Sequence, residues 1–366
     1  MMTNGPVEHD NSGNSNENTN ENADHSQKTG NVNNSHKTDG VNKAKKLIRE
    51  SDSETGYPLL IILGPTAVGK TELSIRIARK INAEIISADS MQIYKDMDIG
   101  TAKASTEIRE EIPHHLINEI SPEKKFSVAE FQARVDQLIP KIIDRGNWPM
   151  MVGGTGLYIN AVVDGFMLPE MEPDKELRSK LQKEAKEKGN EYVHDKLKEI
   201  DPDLAEKLHP NDLRRVIRGI EIYQKTGKTK TYYRKKQEKR PPRYNALKIG
   251  LTRKREELYQ RINKRVDLMM EDGLLDEVKE LLANYNPGKT ARQALGYKEL
   301  IKYLDREIEL KEAIRLIKRD TRHLAKKQLT FFRRDDEINW FNLSECKKEL
   351  VYQDVINNIE NNYSPL

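Results

Sequence analysis

The feature that most constrains this chain is a glycine-rich loop that fits the pattern G-x-x-x-x-G-K-[ST]. Its consecutive members are Gly64, Pro65, Thr66, Ala67, Val68, Gly69, Lys70 and Thr71. The apolar run 59–63 before it is typical of a buried parallel strand, and the apolar spacing over 73–81 is that of a helix. Strand, loop and helix in this order let backbone N–H groups and a helix N-terminus surround phosphate oxygens. We therefore predict a polyphosphate site rather than an ordinary glycine turn, with Lys70 on the outer phosphate and the Thr71 hydroxyl on Mg²⁺.

Length and composition favour a two-domain protein located in the cytoplasm. The 366 residues suffice for two domains and a flexible segment. A single cysteine, Cys346, excludes a disulfide framework and any multi-cysteine zinc site. No apolar run approaches the roughly 20 residues of a membrane span, and the N-terminus lacks the apolar region of a secretory signal. We therefore expect no membrane association.

The chain divides into five parts by composition and periodicity. Residues 1–55 are rich in Asn and almost without apolar side chains, so we predict that they are disordered. Strands alternating with helices over 56–164 predict the first part of a parallel α/β core, with ligands at the carboxyl ends of its strands. Helical periodicity without strand signals over 165–245 predicts an all-helical insertion domain. The core pattern then resumes over 246–345, and we expect residues 346–366 to form a C-terminal tail.

Short segments with strand signals alternate with helical patterns in the predicted core. These strand segments are 59–63, 83–87, 114–118, 150–152, 246–251 and 338–341. Ser127 and Glu130 have the spacing of a capping box, which predicts a helix from there to about Arg145. The predicted architecture is a parallel sheet flanked by helices.

Basic residues are concentrated in two places, although the formal net charge is only +4. Between Arg214 and Arg255 there are sixteen Lys or Arg and two Glu, with four tyrosines interleaved. A second cluster comprises Arg315, Lys318, Arg319, Arg322, Lys326, Lys327, Arg333 and Arg334. Local excess of positive charge among stackable aromatic rings is typical of nucleic-acid binding. A plain solvated surface is the alternative.

Two polar residues are predicted to face the phosphate loop across the sheet's carboxyl edge. Asp89 follows the second strand, and Thr155 follows two glycines at the end of the strand over 150–152. An Asp in this position assists Mg²⁺ or accepts a proton in phosphate-loop transferases, although it also suits a turn or a helix cap. Thr155 equally suits a tight glycine turn.

Two arginines and two histidines are weaker candidates. Arg261 and Arg265 are four residues apart on one helical face, where they would either clamp a diphosphate or be solvated. The adjacent His114 and His115 lack a partner at metal-ligand spacing, so we expect them to be structural.

Five motifs together resemble one family. They are Gly-Pro-Thr-Ala-Val-Gly-Lys-Thr at 64–71, Ser-Ala-Asp-Ser-Met-Gln-Ile-Tyr at 87–94, Asp-Ile-Gly-Thr-Ala-Lys at 98–103, Gly-Gly-Thr-Gly-Leu-Tyr at 153–158 and Arg-Gln-Ala-Leu-Gly-Tyr-Lys at 292–298. On these residues the chain resembles the bacterial tRNA dimethylallyltransferases, also called tRNA isopentenyltransferases. The resemblance covers about residues 57–342, and the full set of motifs in this order is highly specific. It implies a P-loop NTPase-like parallel sheet flanked by helices, with an all-helical insertion domain.

The resemblance also implies a reaction. A dimethylallyl group would move from dimethylallyl diphosphate to N6 of the adenosine just 3′ of the tRNA anticodon. Lys70, the loop amides, Mg²⁺, Arg265 and Arg261 would stabilise the diphosphate leaving group. Asp89 would accept a proton as the new C–N bond forms, and Thr155 would position the base, which must leave the anticodon-loop stack. We expect a monomer.

The same resemblance implies a set of residues that touch the tRNA anticodon stem-loop. They are Asp89, Ser90, Met91, Gln92, Thr155, Arg178, Arg214, Arg215, Arg218, Arg292, Gln293, Gly296, Tyr297 and Lys298. An isolated helical domain with a basic face suits the recognition of a stem-loop by its shape and splayed bases.

Three other functions stay open. A small-molecule kinase would need a lid and a site for the ATP base, and it leaves the basic insertion unexplained. A nucleic-acid-binding NTPase would need a second acidic strand motif of the Walker-B type, which no apolar run after the third strand supplies. An adenylate isopentenyltransferase that acts on free nucleotide should not need the basic helical insertion.

Overall fold

The computed structural model describes residues 56–167, 169 and 171–363 of the chain. Within these ranges the chain forms six strands and fifteen helices. The predicted disorder of residues 1–55 lies outside the described residues.

The strands form one parallel sheet at the centre of the molecule. Their bounds are β1 (Tyr57–Leu63), β2 (Ala83–Ala88), β3 (His114–His115), β4 (Trp148–Gly153), β5 (Tyr244–Thr252) and β6 (Asn339–Asn342). The strand order is β3-β2-β4-β1-β5-β6, and every pairing is parallel. β1 lies inside the sheet between β4 and β5. Every residue after Tyr57 is therefore buried, as the continuous apolar run predicts. The predicted parallel sheet is confirmed, although β3 has only two of the five residues predicted for it.

Helices cover both faces of this sheet. Those of the first part are α1 (Lys70–Ile81), α2 (Thr106–Glu111), α3 (Val128–Asp144) and α4 (Gly156–Val163). α3 begins at the predicted capping box, in which the Ser127 hydroxyl accepts from the Glu130 N–H and the Glu130 carboxylate accepts from the Ser127 N–H. Phe131 of α3 packs in the cluster on one face of the sheet, and Ile77 of α1 packs in the cluster on the other. The phosphate loop therefore follows a strand that is packed against helices on both faces of the sheet.

One of the two adjacent histidines, His115, is a hydrogen-bond partner of a buried carboxylate in β2. Glu84 accepts hydrogen bonds from His115 Nε2 at 2.6 Å, Arg145 Nε at 2.9 Å and Asn147 Nδ2 at 2.7 Å. Burial alone would raise the pKa of the Glu84 carboxyl, but these hydrogen bonds outweigh it and lower the pKa to about 2. His115 is therefore structural, as expected. His114 contacts a backbone carbonyl through Nδ1, and burial lowers its pKa.

Five helices lie between α4 and β5. They are α5 (Lys175–Lys188), α6 (Asn190–Ile200), α7 (Pro202–Ala205), α8 (Leu213–Thr226) and α9 (Lys230–Gln237). Their apolar side chains form a hydrophobic cluster of their own, centred on Leu181, Val193, Leu197, Val216 and Ile220. The strand that follows starts earlier than predicted, because Tyr244 and Asn245 already pair with Tyr57 and Pro58. These two residues therefore belong to the sheet and not to the helical insertion.

A second group of helices connects β5 to β6. They are α10 (Arg255–Glu271), α11 (Leu274–Asn284), α12 (Lys289–Arg292), α13 (Tyr297–Leu304) and α14 (Leu310–Phe332). The long helix α14 packs against both α10 and α13 and also contacts α4. None of the described helices is both long and apolar enough to cross a bilayer.

The expectation of a C-terminal tail over 346–366 is wrong for most of that segment. Residues Lys348–Tyr363 form helix α15. It buries four apolar side chains in the cluster that also contains α1, namely Val351, Val355, Ile356 and Ile359. Their spacing places them on one helical face, and burial of that face holds the segment against the core.

Candidate active site

The phosphate loop joins β1 to α1 at the carboxyl edge of the sheet. Gly69 precedes α1 with a φ of 120°, a backbone conformation that other residues rarely adopt. Lys70 Nζ donates hydrogen bonds to the carbonyl oxygens of Gly64 at 3.0 Å and Pro65 at 2.9 Å. Burial, and then the positive charge of Arg265, lower the pKa of Lys70 to about 8. No described carboxylate forms an ion pair with this ammonium group, and the nearby negative charge of Asp89 offsets only part of its desolvation, a cost in free energy that a bound anion would reduce.

Two arginines of α10 contact the same loop. Arg261 Nε donates to the carbonyl oxygen of Ala67 at 2.9 Å, and Arg265 Nη1 donates to Thr66 Oγ1 at 3.2 Å. Burial, and then the charge of Arg261, lower the pKa of Arg265. In the part of the chain that the structure describes, no ion pair joins Lys70, Arg261 or Arg265 to a carboxylate. Three converging cations without a carboxylate partner form an anion-binding site.

Asp89 and Thr155 are brought together beside this site. Asp89 follows β2, and its Oδ1 accepts from the backbone N–H of Met91 at 2.9 Å. Thr155 follows β4, its N–H donates to the Ala88 carbonyl at 3.1 Å, and its Oγ1 accepts from the Ser90 N–H at 3.2 Å. The threonine therefore holds the turn that carries Asp89.

A cavity of about 660 Å³ opens between the loop and the Asp89 turn. Its walls include the phosphate loop, the turn after β2, α10 and α14, and among its lining residues are Lys70, Thr71, Asp89, Arg261 and Arg265. A volume of this size falls in the range of small-molecule sites. The cavity places an anion-binding wall and a carboxylate within one enclosure.

Comparison with known proteins decides the family. A sequence model of the IPP transferase family matches residues 92–335, and a model described as isopentenyl transferase matches residues 57–126. The chain belongs to the IPP transferase family. The tRNA dimethylallyltransferase of Halothermothrix orenii is 65% identical over 298 residues, covering 81% of this chain and 91% of that protein. That of Carboxydothermus hydrogenoformans is 53% identical over 298 residues, covering 81% and 96%.

Solved structures of related proteins share the fold of this IPP transferase. The full-length tRNA isopentenylpyrophosphate transferase of Bacillus halodurans is 43% identical with a TM-score of 0.63, and the match covers 84% of this chain and 96% of that one. A eukaryotic dimethylallyltransferase acting on tRNA is 31% identical with a TM-score of 0.71, covering 84% and 80%. The predicted P-loop NTPase-like fold and the resemblance to tRNA dimethylallyltransferases are thus confirmed. The kinase and NTPase alternatives lose their support.

In this IPP transferase, two of the arginines predicted to bind tRNA contact one buried carboxylate. Glu221 of α8 is fully buried. It accepts from Arg178 Nε at 2.8 Å and Nη2 at 2.7 Å, and from Arg218 Nη1 at 2.6 Å. Burial would raise the pKa of Glu221, but the two guanidinium groups outweigh it and lower the pKa. Arg178 and Arg218 therefore have a structural partner, and only their remaining N–H groups are available to a ligand.

The neighbouring arginines of the insertion differ from these two. Arg215 is exposed and pairs with Asp212 at 3.0 Å. Arg214 is exposed, and no ion pair forms between it and any other described residue. Among the predicted tRNA contacts in the insertion, Arg214 is thus the residue whose charge is least compensated.

The predicted tRNA segment 292–298 borders the cavity through Gln293 and Gly296, but Tyr297 does not reach it. The Tyr297 side chain is fully buried, and its hydroxyl donates to the Glu277 carboxylate. Because ring and hydroxyl are both satisfied inside the protein, this side chain is not exposed to a ligand in this structure, and its contact with tRNA stays a prediction. The same Glu277 carboxylate accepts from three successive N–H groups over 98–100, so Tyr297 helps to order that loop.

Most of the other residues predicted to contact tRNA, in the segments 90–92 and 292–298, are at least partly accessible. Ser90, Met91 and Gln92 line the cavity. Arg292 is half-buried without an ion pair to a described residue, whereas Lys298 Nζ lies 3.1 Å from Asp320. Their contact with tRNA stays a prediction.

The basic run of the insertion is only partly compensated on α9. Lys235 pairs with Asp203 at 2.9 Å, and Arg234 lies 3.5 Å from Glu238. Lys236 and Lys239 are exposed, and neither forms an ion pair within the described ranges.

Two residues that touch the phosphate loop were missed by the sequence reasoning. Arg253 Nε donates to the Val68 carbonyl at 2.8 Å, and its position directly after β5 at the carboxyl edge was a signal that could have revealed it. Gln328 of α14 accepts from the Thr66 N–H at 3.0 Å. Nothing in the local sequence marks Gln328, because its partners are far away along the chain.

The residues present fit Mg²⁺ only if the substrate supplies most of its ligands. Thr71 lies in the first turn of α1 and lines the cavity. The described residues contain no group of three or more His, Cys, Asp or Glu that could hold a metal ion. Mg²⁺ commonly takes few protein ligands and completes its shell with phosphate oxygens and water.

Proposed function

We propose that this protein transfers a dimethylallyl group from dimethylallyl diphosphate to N6 of the adenosine just 3′ of the anticodon in tRNA, releasing diphosphate. The observation that carries the proposal is that Lys70, Arg261 and Arg265, which form no ion pair with a described carboxylate, share one cavity with Asp89. The relatives named tRNA dimethylallyltransferase support the same reaction. A phosphate loop that holds a leaving group needs no phosphoryl acceptor.

The loop and its cations act on the donor. As the bond between C1 and the diphosphate oxygen breaks, negative charge builds on the diphosphate. Lys70, the loop N–H groups, Arg265 and Arg261 stabilise that charge because they lie on the same side of the cavity. Lys70 leaves its two carbonyl partners to do so. Arg265 donates to the loop hydroxyl, and desolvation lowers its pKa, so we assign it the larger share.

Magnesium would be held by the Thr71 hydroxyl together with oxygens of the diphosphate. The ion would supply additional positive charge to the leaving group. Asp89 lies in the same cavity but serves the acceptor in this proposal.

Asp89 and Thr155 act on the acceptor base. An exocyclic amine is too weak an acid to be deprotonated beforehand, so Asp89 accepts the proton as the C–N bond forms. Thr155 keeps Asp89 in place through its bond to the Ser90 N–H. The adenine must leave the anticodon-loop stack to reach the cavity. This extrusion separates the reaction from one on free nucleotide, for which the basic insertion would have no use.

The tRNA would be gripped by surfaces outside the cavity. Arg214, Arg215, the outer N–H groups of Arg178 and Arg218, and the basic face of α9 would contact the anticodon stem. Ser90, Met91, Gln92, Arg292, Gln293 and Lys298 would contact the loop near the extruded base. We also propose that the protein acts as a monomer in the cytoplasm.

The direct test is incubation of the protein with unmodified tRNA, free adenine nucleotides and labelled dimethylallyl diphosphate, followed by nuclease mapping of the label. Label on the adenosine 3′ of the anticodon is the expected result. Asp89→Asn should bind tRNA and donor as the wild type does while transfer falls by roughly 10²–10⁴-fold. Label that appears only on free adenine nucleotides would overturn the tRNA assignment, and an active Asp89→Asn enzyme would overturn the role of Asp89.

A further inference from the structure

Gln328 connects the phosphate loop to the loop that follows β4. Its Oε1 accepts from the Thr66 N–H at 3.0 Å, and its Nε2 donates to the Gly154 carbonyl at 3.0 Å. Both ends of the amide are therefore used, and each contacts backbone rather than a flexible side chain. The bridge fixes two loops that belong to different strands of the sheet.

The helix that carries Gln328, α14, packs closely against the glycines of the loop that follows β4. A Cβ added at Gly154 would lie 2.3 Å from Gln328 Nε2, and one added at Gly156 would lie 2.2 Å from the Phe331 ring. The glycines allow α14 to come this near, and the amide bridge depends on that approach. The Gly-Gly-Thr-Gly motif thus serves the packing of α14 as well as the turn after β4.

The two halves of the proposed reaction lie on either side of the bridge. Thr66 belongs to the loop that would hold the diphosphate. Gly154 precedes Thr155, whose hydroxyl holds the turn carrying Asp89. A continuous series of contacts therefore runs from the leaving-group site through Gln328 to the proton acceptor.

We propose that Gln328 is a positioning residue that sets the distance between the carbon being transferred and the amine that receives it. The inference rests on the proposed function. Gln328 resists any shift of the phosphate loop relative to the Asp89 turn, and a misplacement of about 1 Å can cost roughly 10²-fold in rate. When the amine is out of reach, water attacks instead. The C1–O bond breaks, the water oxygen bonds to C1 and loses a proton to solvent, and the products are dimethylallyl alcohol and diphosphate.

The test compares Gln328→Met with Gln353→Met. Methionine keeps the length of the side chain but cannot bridge an N–H and a carbonyl. Gln353 lies on the exposed face of α15, where its Nε2 donates to Asn357 Oδ1 at 3.0 Å, so the control makes the same change far from the cavity. For Gln328→Met we expect single-turnover transfer to fall about 10- to 100-fold. Dissociation constants for tRNA and donor should stay within about threefold, and the fraction of donor converted to alcohol should rise.

Several outcomes would overturn the inference. One is unchanged transfer and alcohol fraction in Gln328→Met. Another is a loss confined to donor KM, which would make Gln328 a donor-binding residue. If Gln328→Met does not fold, Gln328→Asn carries the same test, because it keeps a neutral amide that is one methylene too short to bridge Thr66 and Gly154. Wild-type protein that transfers nothing to tRNA would instead refute the proposed function.

Discussion

The cationic side chains of the phosphate loop and of the helical insertion have different kinds of partner. At the loop, Lys70 and Arg265 are half-buried, and their polar contacts are with backbone carbonyls and one hydroxyl. In the insertion, Arg178 and Arg218 are about one-third exposed, yet both contact the fully buried Glu221. The two pairs of cations are similarly half-buried, but among the described residues only the arginines of the insertion form an ion pair with a carboxylate.

The difference distinguishes cations that bind a ligand from cations that stabilise the fold. A buried charge without a counter-ion costs free energy, and that cost is recovered only when an anion binds. A buried carboxylate bonded by two guanidinium groups is already satisfied, so removing one partner weakens the protein itself. Each of the following predictions tests one side of this comparison.

Lys70→Ala should give the largest effect on activity and should not lower the stability of the protein. Removing one preorganised charge from a leaving group costs roughly 2.7–4 kcal/mol, or about 10²–10³ in rate. Because Lys70 has no carboxylate partner among the described residues, its loss leaves no buried charge unpaired. Single-turnover transfer and thermal unfolding measure the two effects. Activity within threefold of wild type would contradict the assignment of Lys70 to the diphosphate.

Arg178→Ala should show the reverse, with a loss of stability. Buried Glu221 would lose two charge-assisted hydrogen bonds, and leaving a buried group undersatisfied typically costs about 1–3 kcal/mol. Arg214→Ala is the matched control, since Arg214 is exposed and a surface change typically stays within about 0.5 kcal/mol. Thermal unfolding of both variants is the measurement. Equal melting temperatures would show that the Glu221 cluster is not a structural device.

The lowered pKa of Lys70 predicts a pH dependence of donor binding. With a pKa of about 8, Lys70 loses its charge in the empty site as the pH rises past that value. The affinity for dimethylallyl diphosphate should therefore decline above about pH 8, approaching tenfold per pH unit. Stability moves the other way, because the cost of a charged Lys70 is present below pH 8 and disappears as the pH rises toward the ordinary lysine pKa.

Lys70→Arg provides the control for this dependence, because arginine stays charged throughout the range. Binding of the donor is followed by calorimetry between pH 7 and about pH 10. If donor affinity does not change with pH in wild-type protein, or declines equally in Lys70→Arg, the pH dependence does not come from Lys70.

The parts of the site that sequence alone predicted are those whose chemistry is local. The loop 64–71 lies between a continuous apolar run and an amphipathic helix, so its structure follows from neighbouring residues. The positions of Asp89 and Thr155 follow from a general rule, since carboxyl ends of parallel strands share one edge. Arg253 obeys the same rule and was predictable.

What sequence could not predict depends on packing between distant segments. Gln328 meets Thr66 across 262 positions of the chain. The burial of Tyr297 depends on Glu277 and on the loop over 98–100, which the aromatic character of the residue does not reveal. Residues of α15 have an apolar face that is meaningful only once the α1 side of the sheet is known to receive it.

The smallest expected effect concerns the basic residues of α9 and Lys239, which follows its end, and tests whether exposed cations with few acidic neighbours contact tRNA. Neutralising Arg234, Lys235, Lys236 and Lys239 should weaken tRNA binding and flatten the dependence of log affinity on log salt by roughly 0.7–0.9 for each tRNA phosphate that is no longer neutralised. Lys235 and Arg234 already have acidic neighbours, so we expect most of the change from Lys236 and Lys239. Filter binding over a salt series measures the slope. Donor binding should be unaffected because the phosphate loop and Arg265 lie elsewhere, and an unchanged slope would remove α9 from the tRNA surface.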